Sequence, residues 1–147
     1  MSARPTRRTA ISGVLAGVLL GTGCTRSAGR VTSQPSAPGP DASLRAAAVA
    51  REQGLLLAYD AAAAAHPGLA ARLQPLRDEH VAHLGALGVP ETPVGQMTGR
   101  PGLPQLRSAE RSAAAAHAAA ALDGSRSLAA VLASLAASEA SHAGALV

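Results

Sequence analysis

The sequence contains no lysine, phenylalanine or tryptophan, and it has only one cysteine and one tyrosine. A lone cysteine excludes an internal disulfide, and it excludes the paired cysteines of CxxC redox sites and zinc knuckles. The scarcity of aromatic residues and of β-branched runs argues against a β-sheet protein. Instead, 37 of the 147 residues are alanine, which is the strongest helix former. The composition therefore predicts an all-α protein.

Much of the basic charge lies before the predicted globular part. The formal net charge of the chain is +4, but Arg4, Arg7 and Arg8 fall within the first eight residues. From residue 42 to residue 147, eight arginines face eight acidic residues, so this part is formally neutral. A nucleic-acid-binding protein needs a concentrated basic face to displace counterions from phosphate groups. We therefore do not expect nucleic acid as a partner.

Residues 1–23 have the three parts of a secretory signal peptide. An arginine-containing start is followed by an apolar stretch at 10–20 and by small residues up to Cys24. The apolar stretch has eleven residues, whereas a transmembrane helix needs about 20, so we expect no permanent membrane span. The pair Arg7-Arg8 resembles a twin-arginine export signal. Export by that route and by the general secretory route both remain open.

The only cysteine ends this leader. Residues 19–24, Leu-Leu-Gly-Thr-Gly-Cys, resemble a bacterial lipobox, although Gly21 stands where a leucine is usual. The resemblance implies that Cys24 is diacylated, becomes the mature N-terminus and anchors the protein on the extracytoplasmic side of the cell membrane. The alternative is an ordinary signal peptide with an incidental cysteine. Residues 24–41 are rich in Ser, Pro and Gly, which predicts a disordered tether.

Four alanine- and leucine-rich segments follow within the predicted domain, residues 42–147. They predict helices over Ala42–Ala65, Leu69–Leu87, Pro104–Leu122 and from Ser125 or Ser127 nearly to Val147. We expect Asp41 or Ser43 to be the first N-cap. Short turns at 66–68 and 123–124 make each neighbouring pair of helices an antiparallel hairpin.

The linker between the hairpins, residues 88–103, contains four glycines and three prolines. Sixteen residues of extended chain are enough to run the length of a helical bundle. The sequence therefore predicts a four-helix bundle of two antiparallel hairpins joined by one long crossover, which is the ferritin-like arrangement. An up-down bundle with a loose middle loop is the alternative.

Ionisable residues share the apolar stripe of each predicted helix. Steps of three and four residues place them on one face together with the leucines. The stripes contain three glutamates and four histidines: Glu52, His80, His83, Glu110, His117, Glu139 and His142. Counted from the turns, Glu52 lies near the height of His80 and His83, and Glu110 lies near the height of Glu139 and His142. Each hairpin is therefore expected to supply one half of a single polar layer.

This pattern resembles that of ferritin-like di-metal proteins, which use one glutamate from each of two helices and Glu-x-x-His from each of the other two. Glu52 and Glu110 match the single glutamates, and Glu139 with His142 matches one Glu-x-x-His motif. The second helix departs from the pattern, because His80 stands where the bridging glutamate should be. The chain over 42–147 is therefore similar to a divergent ferritin-like domain, as in exported domains of unknown function from high-GC Gram-positive bacteria.

The resemblance implies a metal site on the stripes. Its candidate ligands are Glu52, His80, His83, Glu110, Glu139 and His142. Tyr59, Glu79 and His117 are expected to support these ligands, and Glu79 is expected to pair with His83 one helical turn away. Mixed carboxylate and imidazole donors suit iron, manganese, zinc or copper, which the sequence does not rank.

Three interpretations of the polar layer remain open. Burying an unpaired ionised group costs several kcal/mol, against a net stability of about 5–15 kcal/mol for a domain. The layer therefore binds metal, or hydrogen-bonds within itself as a metal-free relic, or lines a small-molecule pocket. We expect a non-enzymatic binding or accessory module of the cell envelope, lipid-anchored and monomeric or homodimeric. The alternative is a di-iron or manganese oxidase-type enzyme, against which the missing bridging carboxylate argues.

Overall fold

A computed structural model describes residues 39–90, 95 and 97–147 of the chain. This part contains four helices, which are α1 (Pro40–Ala65), α2 (Ala70–Ala86), α3 (Leu103–Ala121) and α4 (Arg126–Ala145). The described residues contain no strand, so the all-α prediction is confirmed. The predicted signal peptide, the predicted lipidation site Cys24 and most of the predicted tether lie outside the described residues. No helix within the described part is both long enough and apolar enough to cross a membrane.

The first helix begins two residues earlier than the sequence predicts. Its N-cap is Gly39 rather than Asp41 or Ser43, and Pro40 occupies the first helical position, where a missing N–H costs nothing. Asp41 lies in the first turn, where its carboxylate accepts the backbone N–H of Ser125 at 2.9 Å. Residues 40 and 41 therefore belong to the bundle and not to the predicted tether.

The remaining helix ends lie close to the predicted ones. A 3-10 turn, Pro67–Leu69, precedes α2, so that this helix begins at Ala70 instead of Leu69. Pro104 lies in the first turn of α3, as predicted. Ser125 is the N-cap of α4, as one of the two predicted alternatives had it.

The helices run up, down, down and up along the bundle. In the first hairpin, Glu52 contacts His80 and Asp60 contacts Arg77, so α1 and α2 are antiparallel. In the second hairpin, Glu139 lies near His117 and His142 lies near Glu110, so α3 and α4 are antiparallel. The two predicted antiparallel hairpins are therefore present.

The relative direction of the helices distinguishes a bundle with a long crossover from an up-down bundle. Tyr59 contacts Glu110 in the first half of α3, whereas Asp41 contacts Ser125 just beyond the end of this helix. Helix α1 is thus antiparallel to α3 as well as to α2, so α2 and α3 run in the same direction. The chain must travel the length of the bundle between them, which confirms the long crossover and excludes the up-down alternative.

Described residues at both ends of the crossover, and Gly95 within it, lie beside α1. At its start, Arg45 donates to the carbonyl oxygen of Leu87 at 3.1 Å, and near its end Arg100 donates to the carbonyl oxygen of Ala65 at 3.5 Å. Gly95 has a φ of +126°, which favours glycine, and a Cβ at this position would lie 3.7 Å from Leu57. The linker therefore passes from one end of α1 to the other.

Two apolar clusters fill the bundle on either side of a polar layer. Burial of each leucine contributes about 1.5–3 kcal/mol. One cluster consists of Ala58, Tyr59, Ala62, Leu73, Leu106 and Leu146. The other consists of Ala48, Leu87, Leu128, Leu132 and Leu135. Along each helix, the polar residues of the layer lie between residues of one apolar cluster and residues of the other. The polar layer therefore lies in the middle of the bundle.

Candidate metal centre

The seven ionisable residues of the predicted stripes meet in this layer, as the periodicity predicts. Five are completely buried and His142 is 3% exposed, while His83 is partly buried. The five completely buried residues are Glu52, His80, Glu110, His117 and Glu139. Burial of so many titratable groups at one level requires each of them to find a partner.

The first group of candidate ligands consists of Glu52, His80, His83 and Glu139. One ligand atom from each residue lies within 4.8 Å of the others. Oε2 of Glu52 accepts hydrogen bonds from Nδ1 of His80 at 2.9 Å and from Nδ1 of His83 at 3.1 Å. Three members come from the first hairpin and Glu139 comes from the second.

The second group consists of His80, Glu110 and His142, again with ligand atoms within 4.8 Å of one another. Nε2 of His80 donates to Oε1 of Glu110 at 2.9 Å, and Nδ1 of His142 lies 3.5 Å from the same oxygen. Two members come from the second hairpin and His80 comes from the first. Each hairpin therefore supplies most of one group and one ligand to the other.

His117 is predicted to support the ligands from outside the group, but its side chain directly contacts two members of the first group. Its Nε2 lies 3.3 Å from Oε1 of Glu52 and 3.4 Å from Oε1 of Glu139. Neither contact has hydrogen-bond geometry. The ring thus lies between the carboxylates of α1 and α4, where it is itself a candidate ligand.

Tyr59 and Glu79 support the second group. The hydroxyl of Tyr59 donates to Oε1 of Glu110 at 2.5 Å. Oε2 of Glu79 accepts from Nε2 of His142 at 2.8 Å and from Oγ of Ser138 at 2.9 Å. A carboxylate on the outer nitrogen of a histidine fixes the tautomer and directs the inner nitrogen towards a metal. Nδ1 of His142 is thereby the nitrogen that faces the second group.

The predicted pair between Glu79 and His83 is wrong. Glu79 extends across to α4, whereas His83 points to Glu52 on α1. The two residues lie one turn apart on α2, but each finds a stronger partner on a neighbouring helix. The sequence also gave no signal for the contribution of Ser138.

Part of the layer has no hydrogen-bond partner. Among the described residues, eight buried side-chain nitrogen and oxygen atoms are unpartnered, and seven of them belong to the layer. These seven are Oε1 of Glu52, Oε2 of Glu110, both ring nitrogens of His117, both oxygens of Glu139 and Nδ1 of His142. Each unsatisfied group costs on the order of 1–3 kcal/mol. Carboxylate oxygens and imidazole nitrogens gathered in this way fit a metal ion.

The paired members of the layer form a charged network. Burial alone would lower the pKa of His80, but hydrogen bonds to Glu110 and Glu52 raise it to about 9. Burial would raise the pKa of Glu110, yet contacts with His142 and His80 lower it to about 2. Without metal, His80 is therefore an imidazolium ion between two carboxylates.

Glu52 and Glu139 behave in opposite ways. Burial acts to raise the pKa of both, but contacts with His117, His80 and His83 outweigh burial at Glu52 and lower its pKa. At Glu139, burial, the side-chain contact with Glu52 and the charge of Glu52 raise the pKa far above its ordinary value of 4.5. Two adjacent carboxylates in a dry site cannot both ionise easily, so Glu139 holds a proton in the metal-free protein.

The first group has an approach from solvent. A groove of about 470 Å³ runs between α2 and α4, with apolar walls that include Ala82, Val131 and Leu135. His83 forms part of its lining. An ion or small ligand can thus reach a member of the layer without opening the bundle.

The fold and the layer together define an all-α four-helix bundle with a buried glutamate–histidine centre. Comparisons of the chain with protein-family models, curated proteins and solved structures gave no match. Function is therefore inferred from the residues of this chain and their geometry.

Proposed function

We propose that the protein is a transition-metal-binding module of the cell envelope, with a divergent ferritin-like bundle held at the membrane by a lipid on Cys24. The observation that carries the metal assignment is the convergence of seven unpartnered carboxylate and imidazole atoms in one buried layer. The crossover topology and the Glu-x-x-His motif of α4 support the relation to ferritin-like domains.

The first group provides the more complete ligand set. Glu52 and Glu139 supply two carboxylates, which balance the charge of one divalent ion, and His80 and His83 supply two imidazoles. This donor set suits iron, manganese, zinc or copper. When bound, such an ion would supply Lewis-acid chemistry and, for iron, manganese or copper, redox chemistry. The groove at His83 provides an entry path for the ion.

A metal-free relic accounts for only part of the layer. Hydrogen bonds from His80 and His83 satisfy Oε2 of Glu52, so these groups are stable without an ion. Glu139 and His117 have no hydrogen-bond partner and remain buried. An ion in the first group would bind the carboxylate of Glu139, which the relic interpretation leaves unpartnered.

A binding or accessory function is favoured over the oxidase-type alternative. The enzyme pattern requires a bridging carboxylate on the second helix, and His80 occupies that position. The neighbouring carboxylate of Glu79 contacts the outer nitrogen of His142, and the side chain of Glu79 is 57% exposed. Neither residue supplies the bridging carboxylate that oxidase chemistry requires.

The anchor is tested by changing Cys24. We expect the Cys24→Ser protein to remain unprocessed or to be released, because two acyl chains give stable membrane attachment. Membrane fractionation and mass spectrometry of the mature N-terminus measure this. Wild-type protein that is cleaved, unlipidated and free in the medium would contradict the anchor.

The metal assignment is tested by titrating the chelator-stripped protein with Fe(II), Mn(II), Zn(II) and Cu(II). At 100 times Kd, binding should stabilise the native state by about 2.7 kcal/mol. This corresponds to a rise in Tm of roughly 10 °C or more for a domain of this size. The double variant Glu139→Ala, His142→Ala should lose this rise and keep its helical circular dichroism signal.

The matched control is His66→Ala, which changes an exposed histidine in the turn after α1. This variant should bind metal and gain stability as the wild type does. Absence of saturable binding tighter than about 10 μM for all four ions would contradict the proposed function.

A further inference from the structure

Among the described residues, His80 alone belongs to both groups of candidate ligands. Its side chain is completely buried, and its two ring nitrogens face different carboxylates. Nδ1 lies 2.9 Å from Oε2 of Glu52, and Nε2 lies 2.9 Å from Oε1 of Glu110. The imidazole ring therefore stands between the two groups, with one nitrogen in each.

A single ion in the first group leaves the second group unexplained. Oε2 of Glu110 and Nδ1 of His142 are buried and have no hydrogen-bond partner. Glu79 and Ser138 hold the outer nitrogen of His142 at 2.8 and 3.3 Å, which keeps Nδ1 directed inward. The second group thus offers a fixed imidazole nitrogen, a carboxylate and Nε2 of His80 as three convergent donors.

We propose that the layer holds two metal ions and that His80 bridges them as an imidazolate. Nδ1 binds the ion of the first group and Nε2 binds the ion of the second. This inference rests on the proposed function, in which the first group binds a metal ion. On binding, the ring releases both of its N–H protons to solvent, and each nitrogen lone pair forms one bond to a metal. The step transfers no electrons, so it requires no oxidant or reductant.

Two divalent ions balance the charge of three buried carboxylates and an imidazolate at His80. Glu52, Glu110 and Glu139 carry three negative charges when ionised, and the imidazolate of His80 carries a fourth. Two divalent cations neutralise all four, while His142 and the remaining histidines bind as neutral groups. With one ion and a neutral His80, the counter-charge of Glu110 within the layer would be a protonated His142, whose Nδ1 lies 3.5 Å from Oε1 of Glu110 and could then bind no ion.

An imidazolate bridge sets a characteristic separation of the two ions. Metal–nitrogen bonds of about 2.0–2.1 Å on opposite sides of one ring place the ions roughly 6 Å apart. Two-metal sites of the carboxylate type hold their ions about 3.5–4 Å apart. The histidine at position 80 is therefore expected to change the spacing and magnetic coupling of the pair.

The test uses the purified full chain, stripped with chelator and titrated with Cu(II). Bound copper and the electron paramagnetic resonance signal are measured on the same samples. We expect two copper ions per chain and a low-temperature signal well below that of two independent Cu(II) ions, because an imidazolate bridge couples their spins. His80→Gln should abolish the coupling and weaken binding of the second ion by roughly 10-fold or more. His66→Gln, the matched histidine control, should behave as the wild type.

Each outcome separates the bridge from the proposed function. One copper per chain with an isolated Cu(II) signal would overturn the bridge and leave the proposed function standing. Two coppers with the full signal of uncoupled ions would also overturn the bridge alone. Absence of binding by any of the four metals would overturn both. If His80→Gln fails to fold by circular dichroism, Glu110→Gln replaces it, and this variant should lose the second ion and keep the first.

Discussion

The two hairpins meet in one polar layer, but the buried polar atoms of the first hairpin are mostly hydrogen-bonded and those of the second mostly are not. In the first hairpin, the ring of His80 and Nδ1 of His83 are hydrogen-bonded to carboxylates. In the second hairpin, Glu139 and His117 have no hydrogen-bond partner, and Nδ1 of His142 has none. Six of the seven unpartnered atoms of the layer lie on α3 and α4.

This difference shows which half of the layer lacks internal hydrogen bonds. A metal-free network explains the first hairpin, because every Glu–His contact there has hydrogen-bond geometry. Hydrogen bonds within the layer do not explain the second hairpin, because its buried polar atoms are desolvated and have no partner. Substitutions on the two sides should therefore change the stability of the metal-free protein in opposite directions.

The largest effect is expected for Glu52→Ala in the first hairpin. The change removes the acceptor of His80 and His83 and leaves a buried imidazolium with one counter-charge fewer. Loss of one partner from a buried ion pair destabilises by about 3–5 kcal/mol. Urea unfolding of the chelator-treated protein measures this.

Asp60→Asn provides the control on the same helix. Asp60 pairs with Arg77 at 2.6 Å, but its side chain is 44% exposed. Such exposed pairs contribute about 0–1 kcal/mol. If Glu52→Ala lowers the free energy of unfolding no more than Asp60→Asn does, the Glu–His network does not stabilise the first hairpin. The proposed difference between the two hairpins would then be wrong.

A smaller effect of opposite sign is expected for Glu139→Gln in the second hairpin. Because burial raises the pKa of Glu139 above 4.5, the folded state loses stability as pH rises beyond that value. An amide keeps the shape of the protonated acid and has no proton to lose. The metal-free variant should therefore gain on the order of 2–3 kcal/mol at pH 7.

The pH profile of the metal-free wild type follows from the same groups. The pKa of His80 is raised from 6.5 to about 9, so its contribution is complete below pH 6.5 and is lost as pH rises through 9. The pKa of Glu110 is lowered to about 2, so its contribution is lost as pH falls towards 2. Stability should be greatest near pH 5–6, and Glu139→Gln should flatten the decline above it. A Glu139→Gln protein less stable than wild type at pH 7 would contradict the contrast between the hairpins.

The fold was predictable because the apolar stripe of each helix is regular. Steps of three and four predict one buried face for each helix, and leucines of those stripes such as Leu55, Leu73 and Leu106 are buried. The short turns and the glycine-rich linker gave the hairpins and the crossover. The first helix boundary was missed because Gly39 and Pro40 read as tether, although proline is favoured in the first turn of a helix.

The sequence predicts which residues belong to the polar layer, but it predicts less well which of them contact one another. Periodicity identifies the face on which a side chain lies, so the seven layer residues were found. It does not specify which residue of a neighbouring helix a side chain meets. For that reason, the sequence predicts His83 instead of His142 as the partner of Glu79, and it predicts only a supporting position for His117. These contacts depend on rotamers and on the relative height of the helices.

The exchange of one ligand between the hairpins also determines when the centre forms during folding. Glu139 comes to the first group, and His80 comes to the second, only after the hairpins have docked, which requires closure of a long loop. Neither hairpin alone holds a complete group of candidate ligands, so an ion that binds a complete group binds only the docked hairpins. Interactions that form after the folding transition state change mainly the unfolding rate. A bound ion would thus lengthen the lifetime of the native bundle without accelerating its formation.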